Sequence, residues 1–165
     1  MIVSITDISD IEELTNVEIE SKKLSIPQIV EDFELDYSAR LFRWQTYFAG
    51  KSPQTSKPER VVLKVIIDDK IAGYIAGHLT TRYEIDAEIQ SFYILKEHQR
   101  KGIGKLLLTE LVNWLLAINA HSLCVGIAPG NPYKAFYLKY GGQYLNEHWI
   151  WWDDINELAD KLTTP

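Results

Sequence analysis

The sequence predicts a single α/β domain over residues 1–165, and length and composition are the first two reasons. A chain of 165 residues is long enough for one well-buried domain and too short for two ordinary ones. Hydrophobic residues make up 46% of the chain, and no low-complexity tract interrupts it. The third reason is that strand-like runs alternate with helix-period patterns, which is typical of mixed α/β folds.

The charge of the chain argues against one class of partner. Its 17 basic and 23 acidic residues give a formal charge of −6, the wrong sign for a protein that grips nucleic acid through phosphates. We therefore expect no nucleic-acid partner. A negative chain attracts cationic substrates, although a modest negative charge is also a common solubility feature.

Two further features predict an unexported, cytoplasmic protein. No apolar run approaches the roughly 20 residues of a membrane helix, and residues 1–4 lack the segments of a signal peptide. We expect no membrane partner. The one cysteine, Cys124, excludes an internal disulfide and a cysteine-only metal site, so that no metal is expected.

The N-terminal part predicts an edge strand and two helices. Ile2 to Ile5 form the strand, and the capping-box pattern Ser9-Asp10-Ile11-Glu12 opens a helix that ends near Lys22. A second helix follows Pro27 and carries an apolar stripe. The stripe consists of Ile29, Phe33, Tyr37, Leu41, Trp44 and Phe48. Such a stripe usually packs in a core, and the alternative is that Tyr37 or Trp44 borders a ligand cleft.

The middle of the chain predicts a loop and a β-hairpin. Gly50 to Arg60 is rich in Gly, Pro and Ser, which indicates a mobile surface loop. Val61 to Ile67 and Ile71 to Thr81 are the strands of the hairpin. Glycines in the second strand permit close backbone approach, and they are Gly73 and Gly77. His78 is interpreted as a hydrogen-bonded structural residue rather than a catalytic one.

Ala87 to Leu95 is the predicted central strand. Strict alternation divides it into two faces, which consist of Glu88, Gln90, Phe92 and Ile94, and of Ile89, Ser91, Tyr93 and Leu95. A carboxylate among bulky apolar groups is unusual in a strand that is buried on both faces. The alternative is that Glu88 lies at the exposed start of the strand and is merely solvated.

The C-terminal part predicts further alternation of helices and strands. A helix runs from Ile103 to about Asn119, followed by a strand at Leu123 to Ile127 and a short helix at Tyr133 to Tyr140. A strand around Gln143 to Trp152 and a helix from Asp154 to about Leu162 complete the chain. The buried stripe predicted for the long helix consists of Ile103, Leu107, Leu111, Trp114 and Ile118.

Gln99 to Gly104 joins the central strand to the long helix. Two glycines two residues apart let the backbone direct its N–H groups to one point at the helix start, where partial positive charge favours a phosphate. A P-loop is excluded because GxxxxGK followed by Ser or Thr is absent. A Rossmann fingerprint is incomplete because Gly102-Ile103-Gly104 lacks the third glycine.

Two motifs together resemble the GNAT superfamily of N-acetyltransferases. The acetyl-CoA loop of that family, Q/R-x-x-G-x-G/A, matches Gln99 to Gly104 in full. The later N…FY…G segment resembles Asn131 to Tyr137 followed by Gly141, although Asn131 and Tyr137 are six apart where many members have seven. The order of elements is similar over nearly the whole chain. The resemblance implies an α/β (α+β) domain with a mixed, mostly antiparallel sheet, helices on its faces and splayed central strands.

The resemblance also implies a cofactor and its site. Acetyl-CoA is the expected co-substrate: its pyrophosphate would lie on the backbone N–H groups of the loop, and its pantetheine arm on the central strand, where the family often has a β-bulge. The implied cofactor-binding residues are Phe92, Tyr93, Ile94, Gln99, Arg100, Lys101, Gly102, Ile103, Gly104, Lys105 and Asn131.

Two catalytic residues follow from the same resemblance. Transfer to an amine with a pKa of about 10.4 requires removal of a proton. Glu88 is the expected base, because the histone-modifying branch of the family has a glutamate in a similar Ala-Glu-Ile context. Tyr137, the tyrosine of the FY pair, is the expected proton donor to the leaving thiolate. The alternative for Tyr137 is packing of its short helix on the sheet.

The sequence thus predicts an acetyl-CoA-dependent N-acetyltransferase that acts directly on a primary amine of a small molecule or peptide. Tyr37, Trp44 and Trp149 are candidates for binding a cationic acceptor, and they are equally explicable as packing. A catalytically silent acyl-CoA-binding or regulatory module is the alternative function. A homodimer formed through the tryptophan-rich late strands is a further possibility.

Overall fold

Seven strands form one sheet in the part of the chain that the computed structural model describes, residues 1–25 and 32–164. The strands are β1 (Ile2–Ile5), β2 (Ser56–Ile67), β3 (Lys70–Thr80), β4 (Ala87–Ile94), β5 (Leu123–Gly126), β6 (Gln143–Asn146) and β7 (Trp149–Trp152). Their order across the sheet is β1-β2-β3-β4-β5-β7-β6. Only the pairing of β4 with β5 is parallel among these strands. The predicted mixed, mostly antiparallel sheet is confirmed.

Helices cover both faces of this sheet. The α-helices within the described residues are α1 (Ile11–Ser25), α2 (Tyr37–Phe48), α3 (Ile103–Ala117), α4 (Lys134–Lys139) and α5 (Ile155–Thr163). Apolar side chains of α1 and α2 pack on one face with Tyr74 and Ala76 of β3. Side chains of α3, α4 and α5 pack on the other face with Ile75 of β3 and Ile89 of β4. The sheet therefore separates two apolar cores.

The start of the first helix differs from the prediction. Asp7, rather than Ser9, is the capping residue: its Oδ1 accepts a hydrogen bond from the backbone N–H of Ser9 at 2.7 Å. The carboxylate of Asp10 accepts in turn from the N–H of Asp7 at 3.1 Å. A 3₁₀ turn at Ile8–Asp10 precedes α1, which moves the first free N–H groups closer to Asp7.

The second helix begins later than predicted. Asp36 caps α2, since its Oδ1 accepts from the N–H of Ala39 at 2.7 Å. The predicted start after Pro27 and the stripe residue Ile29 lie outside the described residues, and so does the side chain of Phe33. The buried side chains of α2 are Arg40, Trp44 and Tyr47, whereas Tyr37 is 39% exposed. A cation thus takes part in a face that was predicted to be apolar.

Two strand boundaries and the buried face of α3 also differ from the prediction. β2 begins at Ser56, so that the second half of the predicted Gly50–Arg60 loop is strand. The final strand is a hairpin, because the side chain of Asn146 accepts from the N–H of His148 at 2.9 Å and turns the chain between β6 and β7. On α3, Leu108 and Leu115 are buried, while Trp114 and Ile118 lie at the partly exposed edge.

Leu107→Ala is expected to destabilise the protein by about 2–5 kcal/mol, because Leu107 is fully buried in the core beneath α3 and its removal leaves a cavity. Urea unfolding followed by circular dichroism measures this loss as a lower midpoint with an unchanged slope. Asn113→Ala is the control on the exposed side of the same helix, where a change within about 0.5 kcal/mol is expected. Equal losses in the two variants would contradict the assigned core.

Candidate active site

A gap between β4 and β5 is the central feature of the candidate site. The two strands pair only at Ala87–Leu123, Glu88–Cys124 and Ile89–Val125. β4 continues to Ile94, and no described strand pairs with its β5 side beyond Ile89. The predicted splaying of the central strands is therefore present. An extended ligand with amide groups has a free strand edge on which to pair here.

A β-bulge at the beginning of this gap changes the face of the sheet to which the following side chains of β4 point. Ser91 pairs with Ala76 and Ile89 with Gly77, which leaves Gln90 as an extra residue. The strict alternation predicted for β4 is therefore wrong beyond Gln90. Phe92 and Ile94 pack on the α3 side together with Ile89, whereas Tyr93 packs on the α1 and α2 side.

The start of α3 presents unpaired backbone N–H groups. Gly102 precedes the helix with φ of 84°, a left-handed conformation that favours glycine, and no side chain caps the helix. The N–H groups of the first helical residues lack carbonyl partners within the helix, and partial positive charge accumulates there. Arg100 and Lys101, which precede Gly102, are exposed. The predicted phosphate-binding geometry is thus available at this helix start.

Gly104 serves packing rather than backbone conformation. A Cβ atom at this position would lie 3.2 Å from the ring of Phe136 and 3.4 Å from the side chain of Ile94. The ring of Phe136 also contacts that of Phe92, with 5.7 Å between centroids. The absence of a side chain at Gly104 thus allows α4 to close against α3 and β4.

Several predicted cofactor side chains have partners within the protein. Gln99 donates through Nε2 to the carbonyl of Ile94 at 2.9 Å and accepts at Oε1 from the hydroxyl of Tyr133 at 3.3 Å. Lys105 donates through Nζ to the carbonyl of Thr164 at 3.0 Å. These hydrogen bonds hold the side chains of Gln99 and Lys105 against the rest of the protein, so the backbone N–H groups at the start of α3 are the better candidates for phosphate binding. Sequence reasoning missed Tyr133 because it stands at a variable position of the Asn131 to Tyr137 segment, and Thr164 because it lies outside both motifs.

Asn131 also bonds locally. Its Oδ1 accepts a hydrogen bond from the N–H of Tyr133 at 2.8 Å, which shapes the turn before α4. Its backbone N–H donates to the carbonyl of Ala128 at 3.0 Å. The carbonyl end of the side chain is thus engaged, and a cofactor contact would use its amide nitrogen.

Glu88 lies in a buried cluster of polar groups. Its Oε2 accepts from Nε of Arg82 at 3.0 Å and from the hydroxyl of Thr80 at 3.2 Å, and it lies 3.7 Å from Nε2 of His78. Only 5% of Glu88 is exposed, so the alternative of a merely solvated strand start is wrong. Burial alone would raise the pKa of Glu88, but its interactions with His78 and Arg82 outweigh burial and hold that pKa below its usual range. Glu88 is therefore a carboxylate at neutral pH.

His78 connects Glu88 to α2. Its Nδ1 lies 3.1 Å from the hydroxyl of Tyr47, which also donates to the carbonyl of Gly77 at 3.1 Å. His78 is completely buried, as expected for a structural residue. It also lies in line between Tyr47 and Glu88, which the sequence did not indicate.

Tyr137 lies on the opposite side of the sheet from Glu88. It packs in the core beneath α3, and its ring contacts those of Phe136 and Trp152. Burial raises the pKa of Tyr137 well above its usual value, because a phenolate there would lose its hydration. The hydroxyl consequently keeps its proton throughout the physiological range. Packing and proton donation are both compatible with this placement.

Cys124 is the buried partner of Glu88 across the strand pair. Burial raises the pKa of its thiol to about 12, and the Glu88 carboxylate adds to the rise. A thiol that stays protonated at neutral pH is a poor nucleophile. The prediction that Cys124 behaves as a small buried hydrophobe is confirmed, and the site lacks an activated cysteine for an acyl-enzyme route.

A cavity of about 180 Å³ lies on the α1 and α2 side of β4. It is called the α1/α2 cavity below, and its lining comprises Glu18, Lys22, Glu34, Arg40, Arg43, Trp44, Tyr47, Ser52, Gln90, Ser91 and Tyr93. Its β4 residues come directly after the last residue that pairs with β5. The cavity therefore adjoins the gap from the side opposite to α3.

The three aromatic candidates for acceptor binding have different surroundings. Trp44 lines the α1/α2 cavity, whereas Tyr37 is not part of its lining. The ring of Trp149 is covered by the guanidinium of Arg82, whose central carbon lies 4.5 Å from the ring centroid. Only Trp44 has the position predicted for a residue at a ligand cleft. Charged residues of the cavity, such as Arg40, were not predicted from the sequence because they belong to no recognisable motif.

The described residues contain neither a metal-binding cluster nor a membrane-spanning helix. Among residues 1–25 and 32–164, no group of three or more His, Cys, Asp or Glu side chains is arranged to hold a metal ion. Over the same ranges, no helix has the length and apolar character needed to cross a membrane.

Gly102→Ala is expected to weaken acetyl-CoA binding about 5- to 30-fold. The substitution forces an alanine into a left-handed conformation at a strain of roughly 1–2 kcal/mol, although no atom lies within 4 Å of the added Cβ. Isothermal titration calorimetry measures the change. The matched control is Gly50→Ala, with φ of 74° and its nearest neighbour at 4.0 Å, which lies after α2. A comparable loss of affinity in both variants would contradict a specific role for the loop.

Comparisons with known proteins agree with this architecture. A family model described as "Acetyltransferase (GNAT) family" matches residues 24–142. Over 89 residues the chain is 30% identical to the uncharacterized N-acetyltransferase YuaI of Bacillus subtilis (strain 168). That stretch covers 47% of this chain and 51% of YuaI, so the match spans about half the length of this relative.

Solved structures share the fold at low sequence identity. The PaiA N-acetyltransferase from Thermoplasma acidophilum, crystallised with coenzyme A, superposes with a TM-score of 0.70 at 20% identity, over 92% of this chain and 98% of that one. An acetyltransferase from Thermus thermophilus gives a TM-score of 0.72 at 19% identity, over 92% and 95% of the two chains. These likenesses confirm the predicted fold class.

Proposed function

The chain belongs to the acetyltransferase (GNAT) family, and we propose that it transfers the acetyl group of acetyl-CoA directly to a primary amine. The observation that carries the proposal is the free edge of β4 beyond Ile89, which leads to the uncapped start of α3. Together they form a continuous track of backbone groups for an extended ligand that ends in phosphates.

The cofactor positions follow from this track. The N–H groups between Arg100 and Lys105 bind the pyrophosphate, and the backbone of Phe92 to Ile94 pairs with the pantetheine arm. Support comes from the left-handed Gly102, from the missing side chain at Gly104, and from the structural neighbour with bound coenzyme A. Asn131 contributes its amide nitrogen, because its carbonyl oxygen is already engaged.

Acetyl-CoA supplies an activated thioester, and the chain supplies the proton transfers. An ordinary amine with a pKa of about 10.4 is neutral only once in a few thousand molecules at pH 7, which corresponds to about 4.6 kcal/mol. The ionised Glu88, whose Oε2 is held by Thr80 and Arg82, accepts the proton from the ammonium group through water. The neutral amine then attacks the thioester carbon.

Tyr137 completes the reaction on the other side of the sheet. The C–S bond breaks, and the sulfur receives a proton from the phenol, which burial keeps protonated. The amine nitrogen loses its second proton as the amide forms, and that proton returns through solvent to the phenolate of Tyr137. The products are the N-acetyl amine and coenzyme A. Direct transfer in a ternary complex is favoured over an acyl-enzyme route, because burial keeps the thiol of Cys124 protonated.

A silent acyl-CoA-binding module is the second candidate. It is favoured by the ion pair between Glu88 and Arg82, since a carboxylate with a lowered pKa is a weaker base. The two functions are separated by measuring thiol release with polyamines, aminoglycosides, amino acids and peptide N-termini, alongside calorimetric binding of acetyl-CoA. Release of one thiol per acetylated amine is the expected result. Tight binding without turnover on any acceptor would favour the module.

A further inference from the structure

We propose that the α1/α2 cavity binds a carboxylate, so that the preferred acceptors are amines that carry a carboxylate of their own, as amino acids do. This inference rests on the proposed acetyl transfer, because it names the acceptor class of that reaction. It adds a carboxylate to the primary-amine acceptor that the sequence predicts.

Two unpaired hydrogen-bond donors, which belong to residues that line the cavity, carry the proposal. Nε of Arg40 and Nε1 of Trp44 are both buried and have no hydrogen-bond partner within residues 1–25 and 32–164. Each residue is only 4% exposed, and both line the cavity. They are four positions apart on α2, so their side chains share one face of the helix. Buried donors without partners are uncommon, and a ligand with acceptor oxygens would satisfy both.

The charges around the cavity indicate that this ligand is an anion. Oε1 of Glu18 accepts from Nζ of Lys22 at 2.9 Å and lies 3.7 Å from Nη1 of Arg40. The carboxylate of Glu34 lies 3.7 Å from the same Lys22. Two carboxylates thus face three cations, the third being Arg43. A local positive excess in a chain of charge −6 is the opposite of what a polyamine requires.

The planar guanidinium of arginine favours a planar anion as the ligand. A guanidinium that is removed from water is stabilised by a carboxylate that accepts two parallel hydrogen bonds, and the indole N–H of Trp44 adds a third donor. The ion pair between Nη1 of Arg40 and Glu18 is too long for a hydrogen bond at 3.7 Å, and Nε of Arg40 has no partner among the described residues.

The position of the cavity fits an acceptor rather than the cofactor. It opens beside Gln90 and Ser91, at the point where β5 leaves β4, and on the face opposite to α3. An amine whose carboxylate is bound near Arg40 therefore approaches the gap from one face of the sheet, while the phosphates of the cofactor lie on the other side.

A nuclear magnetic resonance titration tests the site independently of turnover. The chain has five tryptophans, and the spectrum of Trp44→Phe identifies the indole N–H signal of Trp44. The probes are lysine and lysine amide, which have the same two amines and differ in the carboxylate. We expect lysine to shift the Trp44 signal downfield with saturation, and lysine amide and coenzyme A to leave it in place. An unmoved signal with lysine, or an equal shift with lysine amide or coenzyme A, would overturn the proposal.

Kinetics provide the second measurement. Arg40→Gln is expected to raise the KM for lysine about 10- to 100-fold, with kcat changed less than about threefold, because the carboxylate is bound equally in ground and transition states. Lys139→Gln removes an exposed charge from α4 and serves as the control. If Arg40→Gln does not fold, the carboxylate site is tested instead by the KM of Trp44→Phe for lysine and by the titration of the wild-type protein.

The two proposals fail in different ways. If lysine amide is acetylated as efficiently as lysine, the proposed acetyltransferase function is supported and the carboxylate site is refuted. A shift of the Trp44 signal by lysine without thiol release from any amine would support the site and refute the transferase. If lysine causes no shift of the Trp44 signal and no amine causes thiol release, both proposals are refuted.

Discussion

Replacing Glu88 with glutamine is expected to lower kcat/KM for the amine acceptor by about 10²- to 10⁴-fold, the range of a general base. The amide keeps the shape of the side chain and its contact with Arg82, but it cannot accept a proton from the ammonium group. The loss should persist from pH 6 to pH 9, because glutamine does not titrate. Steady-state assays of thiol release at saturating acetyl-CoA measure it.

Glu84→Gln is the matched control, because Glu84 is an exposed carboxylate four residues earlier in the chain. Its kcat/KM is expected to remain within about twofold, since substitutions on an exposed surface seldom have large effects. Full activity of Glu88→Gln over this pH range would refute the base assignment and leave Glu88 as a structural partner of Arg82.

The pH profile gives a third check on Glu88. The interactions with His78 and Arg82 lower the pKa of Glu88, so its basic form is present down to a pH below the usual value of about 4.3. Arg82→Gln removes one of these positive charges, and burial then raises the pKa. We expect the acidic limb of kcat/KM to move to higher pH in Arg82→Gln, and an unmoved limb would assign that limb to another group.

Tyr137→Phe is expected to lower kcat about 100-fold with little change in acetyl-CoA affinity. The phenylalanine keeps the packing against Phe136 and Trp152 but loses the proton for the departing sulfur. The effect lies at the low end of general acid catalysis because a thiol with a pKa near 8.5 is already a good leaving group. Calorimetry for affinity and single-turnover assays for chemistry separate the two parameters.

Tyr140→Phe is the control for the loss of a hydroxyl group. Tyr140 is also a buried tyrosine in the same core, 7% exposed against 9% for Tyr137. An unchanged kcat in Tyr137→Phe would refute the role of Tyr137 as general acid and leave it as a packing residue. An equal loss in both variants would point to a disturbed core instead of a lost proton.

The local parts of the site were predictable from the sequence. Gln99 to Gly104 indicates a phosphate loop because a turn of this kind needs a glycine at the helix start, and the structure has the left-handed Gly102 at that place. The same holds for the hairpin of β2 and β3, whose strands and turn residues are adjacent in the chain. Boundaries were less accurate where a short side chain decides them, as with Asp7 before α1 and Asp36 before α2.

Contacts between distant residues were not predictable in this way. The surroundings of Glu88 depend on His78 and Arg82, which come from β3 and the turn after it. The bulge at Gln90 depends on the register with β3, and it reverses the faces that strict alternation assigns to Phe92 and Tyr93. No single-residue pattern in β4 contains this information.

The sequence by itself determined the family resemblance, the candidate cofactor loop and most of the order of elements, because these depend on neighbouring residues and their backbone preferences. The tertiary structure alone decided where the gap between β4 and β5 begins, the ion pair of Glu88 and the α1/α2 cavity. The physical reason is that burial and charge at Arg40, Trp44 and Glu18 arise only when α1, α2 and β4 pack together. The acceptor proposed here depends on that packing.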